Sequence, residues 1–508
     1  MNPLRRRDLL LSLKYCTIEA CFSVPMLNLT LTQFPFILGF AVAGLGWGAG
    51  AIGWLAAIHH FCNAVQPPFY WFLRRHYSLH RIMVLGFWFN ALPWLAVLAF
   101  PWMTPSSRDI LFSTIVSVAT LANSIASVAW SAATSDLVPL HIRGRYFGRR
   151  NMVFGFWTLV VVLAAGIAAE HYGNTLTAFG GIFAAAAVMR LIGLYFMLRM
   201  TFPAPVMAPQ QTPDRFTDYL AVFRSPAYLW LVLFIGFWGF ALNLGMPFYS
   251  VYVLRELQFT MRDLTVLTTL ASLGGLLALP SWGVLSDRFG SKPVLMTCAF
   301  LWAGTALPAW LFAGPAHQLH LYVNYFLVGA VTAGFQLCQF NLMVKMVPAR
   351  SKAPYISVFL AITSLLTAMG PLIGGRFLAL SPRDLGTFVG QPLLEYHVLF
   401  VGSLALCLLA THLLQQMREP AERPLRELVR VMRSMREFNP VLGVSAVAEL
   451  VFTPSRLTRF AAESLRNLRR QTSDLADVGE ELADASLRAL RDRLLPDRKR
   501  DPRERDDE

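Results

Sequence analysis

The sequence predicts an all-α integral membrane protein with twelve transmembrane helices in two pseudo-symmetric six-helix bundles. Composition, twelve long apolar runs and the placement of basic residues predict this class. Of the 508 residues, 55% are hydrophobic and only 15% are charged, whereas soluble domains carry about 25% charged residues. Six cysteines in a chain of this length are too few for a disulfide scaffold. An ordinary soluble enzyme, a disordered chain and a disulfide-stapled domain are therefore excluded.

Twelve apolar runs are long enough to cross the hydrocarbon core, which takes about 20 helical residues. Lipid offers no partner for unpaired backbone groups, and the runs lack the alternation of barrel strands, so each run is predicted to be a helix. The first six are Leu13–Phe36, Trp47–Trp71, Ile82–Trp102, Asp109–Ala133, Asn151–Ala169 and Leu176–Leu198. The second six are Leu229–Val253, Leu264–Val284, Val294–Phe312, Leu319–Val344, Pro354–Leu378 and Tyr396–Leu414.

The loops differ in charge, and this difference predicts the orientation. Most basic residues lie at the amino terminus and in the even-numbered loops, whereas the odd-numbered loops carry few. The positive-inside rule therefore places both termini in the cytoplasm, with the helices in the cell (inner) membrane. The net charge of +14 is explained by this topology. Nucleic-acid binding would require the charge on one compact face, so no nucleic acid is expected as a partner.

Weak matches between the two sets of six helices suggest a duplication. Tyr146, shortly after a Val-Pro pair, recurs as Tyr355 at an offset of 209 residues. Asn28, flanked by two leucines, recurs as Asn243 at an offset of 215. A helix bundle with two-fold pseudo-symmetry and a site at its midplane interface follows from such a repeat.

Composition divides the chain into four parts. Residues 1–201 form the amino-terminal bundle, 202–226 a cytoplasmic linker, 227–417 the carboxyl-terminal bundle and 418–508 a cytoplasmic tail. The linker contains a segment, 214–220, that could form a surface helix. The tail holds 19 basic and 18 acidic residues, and the spacing of apolar residues over 425–435 predicts a helix at the membrane surface. The remaining tail is predicted to be helical or partly disordered.

The most specific motif lies between the eighth and ninth runs, from Trp282 to Pro293. It resembles the cytoplasmic loop signature G-x-x-x-D-R-x-G-R-R/K of the major facilitator superfamily, with one departure at Ser291. A second stretch, from Asp136 to Arg150, resembles the loop between the fourth and fifth helices of that superfamily. The resemblance covers roughly residues 1–415 and implies a transporter that alternates access to a site between its halves. The matching positions are Gly283, Asp287, Arg288, Gly290 and Lys292.

Physical reasoning gives these residues a role as a conformational latch. Gly283 is expected to let two helices approach closely, and Asp287 to pair with a helix amino terminus or a basic side chain. Arg288 and Lys292 are expected to hold the inner leaflet. The resemblance implies that the contact breaks and reforms during transport, and a permanent loop staple is the alternative. The first half is expected to contribute Asp136, Arg143 and Arg145 to the same latch.

Ionisable groups inside apolar spans are costly, so they are functional candidates. Glu19 could exchange a proton or hold an amine substrate, or it could pair with Lys14 or with another helix. His59 and His60 are adjacent, so at most one is expected to face a cavity. Arg190 could bind an anionic substrate, but snorkelling of its long stem towards the cytoplasm is the favoured interpretation.

Neutral polar side chains in the spans complete the candidate proton or substrate site. Their alternative role is hydrogen bonding between packed helices. Together with Glu19 and Arg190, the candidates are Asn28, His59, Asn63, Gln66, Asn123, Trp130, Asn243, Gln336 and Gln339.

Motifs for catalysis are missing, so an enzyme is not predicted. The cysteines form no C-x-x-C pair and the sequence has no phosphate-binding G-x-x-x-x-G-K-S/T pattern, so neither a metal nor a cofactor is expected. The predicted function is secondary active transport of a small molecule by alternating access, with proton coupling as an option. The alternatives are a lipid translocase and a transporter-like sensor or scaffold that signals through the tail. The expected partners are the substrate and the lipid bilayer, and the sequence does not identify a partner for the tail.

Overall fold

The computed structural model describes residues 6–32, 34–207, 222–224, 226–311, 313, 319–346, 352–382, 384–388 and 391–415. Helices make up most of the first half of these residues, and a 3₁₀ helix, Leu92–Trp102, continues the fourth one. The helices are α1 (Arg6–Thr30), α2 (Pro35–Ala43), α3 (Ala49–His76), α4 (Leu79–Ala91), α5 (Pro105–Leu137), α6 (Leu140–His171) and α7 (Leu176–Leu198).

The second half repeats the pattern of long helices after a short helix, α8 (Ala204–Met207), and a 3₁₀ turn, Val222–Arg224. Its helices are α9 (Pro226–Arg255), α10 (Met261–Phe289), α11 (Ser291–Leu311), α12 (Leu319–Met346), α13 (Lys352–Leu380) and α14 (Glu395–Gln415). An antiparallel hairpin of β1 (Asp384–Phe388) and β2 (Gln391–Leu394) precedes α14.

The predicted membrane helices are confirmed. Each of the twelve apolar runs falls mainly on one long helix, the third on α4 together with its 3₁₀ continuation, while the first extends beyond α1 into α2. Ten of the described helices are long and apolar enough to cross a membrane. The two long helices outside that set are α3 and α11; α3 carries the polar side chains of His59, His60, Asn63 and Gln66.

Local sequence accounts for the ends of several helices. Ser78, Thr104 and Thr175 are N-caps whose side-chain oxygens accept the backbone N–H three residues later. Thr260 forms a capping box with Asp263 at the start of α10. The same helix ends at Gly290, whose φ of 94° suits glycine.

Two features were not predicted from the sequence. The first apolar run was expected to continue to Phe36, which is wrong, because α1 ends at Thr30 and a separate helix starts at Pro35. This helix, α2, buries Phe36 and Phe40 and packs against α9 and α10 of the other half. The β-hairpin was missed as well. The linker segment 214–220 and the tail segment 425–435, both predicted as helices, lie outside the described residues.

Short connections between successive long helices give the bundle two faces. The terminal face carries the start of α1, the end of α14 and the turns after α3, α5, α10 and α12. The opposite face carries α2, the β-hairpin and the turns after the 3₁₀ helix, α6, α9 and α11.

The apolar core is divided in a way that follows these faces. One cluster of buried side chains runs through both halves, from Phe40 and Trp94 in the first to Trp282 and Phe400 in the second. A separate cluster, which includes Met83, Phe87 and Met197, is confined to the first half. It lies towards the terminal face, since it also contains Leu79 at the start of α4 and Leu137 at the end of α5. The halves therefore share a core mainly at the opposite face.

The repeat found in the sequence has a structural counterpart at the terminal face. The Tyr146 hydroxyl, on α6, donates to the carbonyl of Leu13 on α1 at 2.8 Å. In the second half, Tyr355 on α13 packs against Tyr228 on α9, whose hydroxyl donates to the Tyr355 carbonyl at 2.8 Å. In each half the repeated tyrosine ties the fifth long helix to the first.

Candidate functional site

A buried ion cluster lies inside the first half. Glu19 on α1, Arg150 on α6 and Arg190 on α7 are each at least 94% buried. Glu19 Oε2 lies 3.4 Å from Arg150 Nη2, and Glu19 Oε1 lies 3.8 Å from Arg190 Nη1. One carboxylate thus serves two guanidinium groups, and the three side chains carry a formal charge of +1 when ionised.

Neighbouring side chains hold the two guanidinium groups in place. Arg190 Nη2 donates to Asn123 Oδ1 at 3.3 Å, and its guanidinium carbon lies 3.8 Å from the centre of the Phe87 ring. Arg150 lies 4.6 Å from the ring centre of Trp130, and its Nε donates to the Cys16 carbonyl at 3.1 Å. These hydrogen bonds and cation–π contacts compensate part of the cost of burying the charge.

The cluster corrects one expectation and adds one residue. Arg190 was expected to snorkel towards the cytoplasm, which is wrong, because its guanidinium is turned into the bundle and paired with Glu19. Glu19 pairs with other helices, whereas Lys14 is exposed. Arg150, the last residue of the stretch that resembles the loop between the fourth and fifth helices, was not predicted as a site residue. The available signal was its position, immediately before an apolar run that lies on the same helix.

A second polar network joins α3 to α5. Asn63 Nδ2 lies 3.0 Å from His59 Nε2, and Asn63 Oδ1 accepts from the Ser124 hydroxyl at 2.8 Å. One turn further along α3, Gln66 Nε2 donates to the Ser124 carbonyl at 2.9 Å. Three predicted candidates, His59, Asn63 and Gln66, are thus brought together. Their bonds run mainly between packed helices, which is the alternative role stated for them.

The adjacent histidine, His60, faces the second half. Its side chain interacts with that of Asn243 on α9. Asn28 and Asn243, the repeated pair, make the same local bond, because each donates its Nδ2 to the carbonyl four residues earlier at 3.0 Å. Within the described part of the chain, Asn243 also contacts the other half. The spacing of two adjacent histidines could not indicate which ring points across the interface.

A cavity of about 190 Å³ lies in the second half and collects the two predicted glutamines. Gln336 and Gln339 come from α12, and α9 supplies Trp238, whose ring stacks on Phe335 at a centroid distance of 4.7 Å. The full lining is Ile235, Trp238, Gly239, Leu242, Thr332, Phe335, Gln336, Gln339, Thr363, Ser364 and Thr367. The lining contains amides, hydroxyls and aromatic rings and no charged side chain.

The main contacts between the halves join α3 to α13, α6 to α10 and α2 to α9 and α10. Glycines allow close approach at this boundary. A Cβ added at Gly53 would lie 2.3 Å from the Pro371 carbonyl oxygen, and one at Gly166 would lie 2.0 Å from Thr265 Oγ1. Both positions are near the opposite face. At that face α3 therefore packs backbone against backbone on α13, and the backbone of α6 packs against a threonine side chain of α10.

Polar contacts add to this closure. The Trp47 indole N–H donates to Asp109 Oδ1 at 2.8 Å within the first half. Arg255, at the end of α9 in the second half, donates through Nη2 to the Trp47 carbonyl. Trp47 is thus held by a partner from each half. A further cavity of about 310 Å³ at this face is lined by Asn174, Arg255 and Gln258 among others.

The motif predicted as a latch occupies the end of α10 and the start of α11. Asp287 and Arg288 are exposed, and Arg288 lies 5.4 Å from the ring centre of Phe289. Asp287 has no ion-pair or hydrogen-bond partner among the described side chains. The side chains of its expected counterparts, Asp136, Arg143 and Arg145, are not among those described.

Two details of the motif differ from expectation. Nothing lies within 4 Å of a Cβ built on Gly283, so the close helix approach expected there is absent from this conformation of the described chain. Lys292 was expected to hold the inner leaflet, but only 6% of it is exposed. Nearby, Lys345 Nζ donates to the Ser291 hydroxyl at 3.1 Å. Ser291, the departure from the signature, is therefore a hydrogen-bonding position between α11 and α12.

Metal ligation receives no support from the described part of the chain, which contains no cluster of three or more His, Cys, Asp or Glu able to hold an ion.

Comparisons with known proteins address the fold and the family. Among solved structures, the nucleoside transporter NupG is similar with a TM-score of 0.59 and 13% identity, covering 81% of this chain and 98% of that one. A bacterial homologue of the iron transporter ferroportin in an inward-facing state gives 0.57 and 16%, covering 82% and 99%. The xylose transporter XylE from E. coli, in a partially occluded inward-open conformation, gives 0.57 and 12%, covering 82% and 99%. At these identities the likeness shows the fold.

No curated protein matches the sequence. The family described as Major Facilitator Superfamily matches it twice, over residues 20–255 and 239–465. The second match continues past residue 417, further than the motif resemblance extends. The two matches agree with the duplicated halves and with the paired tyrosines. Since they cover well over half of the chain, the protein belongs to the Major Facilitator Superfamily.

Proposed function

We propose that the protein is a secondary active transporter that moves a small molecule through the cell membrane by alternating access between its two six-helix halves. The observation that carries the proposal is the unequal contact between the halves. Their shared core and their glycine-mediated approach lie at the opposite face, whereas the motif at the terminal face has Asp287 and Arg288 exposed. Such a boundary can separate at one face while it closes at the other.

The conformation fits the state in which the site is open to the terminal face. Trp47, Gly53 and Gly166 close the opposite face. The latch, formed by the Gly283 to Lys292 motif with Asp136, Arg143 and Arg145, would engage when the terminal face closes. In that state Asp287 would meet a basic partner of the first half. The latch is thus proposed to stabilise the other conformation, in which the terminal face is closed.

Glu19 is proposed as the carboxylate that couples transport to a proton. In this conformation Glu19 is paired with both Arg150 and Arg190. Movement of α6 relative to α1 would separate Arg150 from Glu19, and the released carboxylate would then exchange a proton with the site. The alternative is that the cluster only holds the bundle together. The pH dependence of transport in a Glu19→Gln variant separates the two roles.

Distances between spin labels test alternating access without knowledge of the substrate. One pair, Thr175→Cys with Gln258→Cys, spans the halves at the opposite face. Another, Tyr77→Cys with Val284→Cys, spans them at the terminal face. Both pairs would be studied in a background with the six native cysteines replaced.

We expect two distance populations for each pair, with opposite shifts when conditions change from pH 7.5 to pH 5.5. A single unchanged population for both pairs, also in the presence of candidate ligands, would contradict alternating access. It would favour the sensor or scaffold interpretation. Movement together with exchange of lipid probes between leaflets would favour the lipid translocase.

The same cysteine variants test the proposed orientation, in which both termini are cytoplasmic. A maleimide that cannot cross membranes should label Gln258→Cys in intact cells, because the opposite face would be external. Tyr77→Cys should react only after the cells are permeabilised. The reverse pattern would overturn the orientation and leave the transport proposal in place.

A further inference from the structure

We infer that the substrate is an uncharged, polyhydroxylated molecule of monosaccharide size. The residues that line the cavity between α9, α12 and α13 would form one wall of the site that binds it. The inference rests on the proposed transport function and names its substrate class. Its basis is the chemistry of the unpaired groups in the cavity.

The cavity contains several unpaired polar groups. Gln336 and Gln339 have no hydrogen-bond partner among the described residues, and Gln336 is exposed within a membrane-spanning helix. Thr332 and Ser364 are likewise without a partner for their hydroxyls in the described part of the chain. Each carboxamide offers two donors and an acceptor, and each hydroxyl offers both functions. Such groups match a ligand whose hydroxyls donate and accept in alternation.

Two threonines supply oriented acceptors. The Thr363 hydroxyl donates to the Phe359 carbonyl at 2.6 Å, and the Thr367 hydroxyl donates to the Thr363 carbonyl at 2.7 Å. Because their protons are already used along α13, their oxygen lone pairs are left to accept from a ligand. The hydrogen-bond donors of the ligand are thus expected to lie along α13, and its acceptors opposite the amide groups of α12.

Trp238 supplies an apolar surface with a polar edge. It is 5% exposed, stacks on Phe335, and its indole N–H has no partner among the described residues. A ring with one hydroxylated edge and one C–H face could pack on such an aromatic plane while it hydrogen-bonds at its rim. This combination distinguishes a sugar-like ligand from a purely apolar one.

The charge distribution excludes an ionic ligand at this wall. No charged side chain lines the cavity, and an unpaired ion in a membrane interior is costly. The buried charges of the first half, Glu19, Arg150 and Arg190, form a separate cluster on α1, α6 and α7. A neutral ligand needs no further counter-charge.

The location fits a site shared by the halves. Gly239 lines the cavity, and Asn243, one turn further on the same face of α9, contacts His60 of the first half. The cavity volume of about 190 Å³ equals that of about six water molecules in the liquid. Because α9 contacts the first half at Asn243, the first half would complete the enclosure of a monosaccharide.

Binding to matched probes tests the inference. The purified protein in nanodiscs would be titrated with D-glucose, D-xylose and myo-inositol, and with the charged analogues gluconate, glucosamine and glucose 6-phosphate. Isothermal calorimetry and thermal unfolding report binding, and counterflow into proteoliposomes reports transport. We expect at least one neutral probe to bind and its charged analogues to fail.

Variants assign the binding to this cavity. Gln336→Ala and Gln339→Ala should each raise the Kd of the neutral probe about fivefold to tenfold, the effect of one lost hydrogen bond. Phe340→Ala is the control, since Phe340 lies on the same helix with 60% of its surface exposed. It should leave the Kd unchanged.

Each outcome bears separately on the substrate class and on transport. Binding of a neutral probe, weakened by both glutamine variants, supports the class even if counterflow fails, and that failure would contradict transport. Binding of only a charged analogue overturns the class while transport stands. If none of the probes binds although the spin labels show alternation, the class is likewise overturned.

Discussion

Gly53 of α3 lies directly against the carbonyl of Pro371 on α13, across the boundary between the two halves. A Cβ at this glycine would be 2.3 Å from the carbonyl oxygen and 3.2 Å from its carbon. Pro371 lies inside α13. On the same helix, a Cβ added at Gly375 would lie 3.1 Å from the Cα of Gly53. Closure of the opposite face therefore depends on the absence of a side chain at position 53.

Gly53→Val should shift the protein away from the described conformation. The added carbons meet backbone, which cannot move aside as a flexible side chain can, and overpacking of this kind costs about 1–3 kcal/mol. The spin-label pair Thr175→Cys with Gln258→Cys should report a longer distance in the variant. Gly181→Ala is the control, because nothing lies within 4 Å of a Cβ there. An unchanged distance in Gly53→Val would contradict the assigned closure.

A disulfide should arrest the protein with its opposite face closed. The Cβ position of Gly50 lies 4.0 Å from that of Ala379 across the halves, within the range of about 3.5–4.5 Å seen in disulfides. Gly50→Cys with Ala379→Cys should therefore cross-link under oxidation, and the spin-label distance at the terminal face should collapse to one population. Reduction should restore the exchange.

The control for this cross-link joins two helices of one half. Gly275→Cys with Ala333→Cys has a Cβ separation of 3.4 Å between α10 and α12. Its oxidation should leave alternation intact. Arrest by both cross-links would show that oxidation itself, and not the boundary between the halves, stops the motion.

Sequence reasoning located the helices well because the membrane imposes a strong constraint on each. A span needs about 20 apolar residues and a paired backbone, so the runs could be read one at a time. The prediction that the first helix continues to Phe36 was wrong for a local reason. Apolar character continues from α1 into α2, and only Pro35 marks the point where the chain turns into a buried helix that packs on the other half.

The site was predicted less completely because its geometry depends on helix rotation and on pairing across the fold. Hydropathy cannot show that Arg150 and Arg190 share Glu19, since the two arginines lie 131 and 171 residues from it in the sequence. Gln336 and Gln339 were found because polar groups stand out in an apolar run. Thr363, which helps to complete their cavity, looks like an ordinary helix residue.

Loss of the Glu19 carboxylate should destabilise the fold, because it leaves two buried cations without their counter-ion. Breaking a buried ion pair by removal of one partner costs about 3–5 kcal/mol, so Glu19→Gln should lower the unfolding temperature markedly. Addition of Arg190→Met should recover much of that loss, since it removes one unpaired charge. Thermal unfolding of the single and double variants measures both effects.

The control for net charge is Glu256→Gln. Glu256 lies in the turn after α9 at the opposite face and has no ion pair among the described residues, so the substitution should change stability little. If the double variant is as unstable as the sum of the two single variants, Arg190 and Glu19 do not act as a pair.

The repeated asparagines offer a matched comparison of local and inter-half contacts. Asn28→Ala and Asn243→Ala each remove a 3.0 Å bond to the carbonyl four residues earlier, so their local costs should be alike. Asn243 also contacts His60 of the first half. We therefore expect Asn243→Ala to change the spin-label distance populations, by a factor of about five for one lost hydrogen bond, while Asn28→Ala leaves them near those of the parent protein. Equal effects of the two substitutions would mean that the His60 contact does not contribute to the balance between conformations.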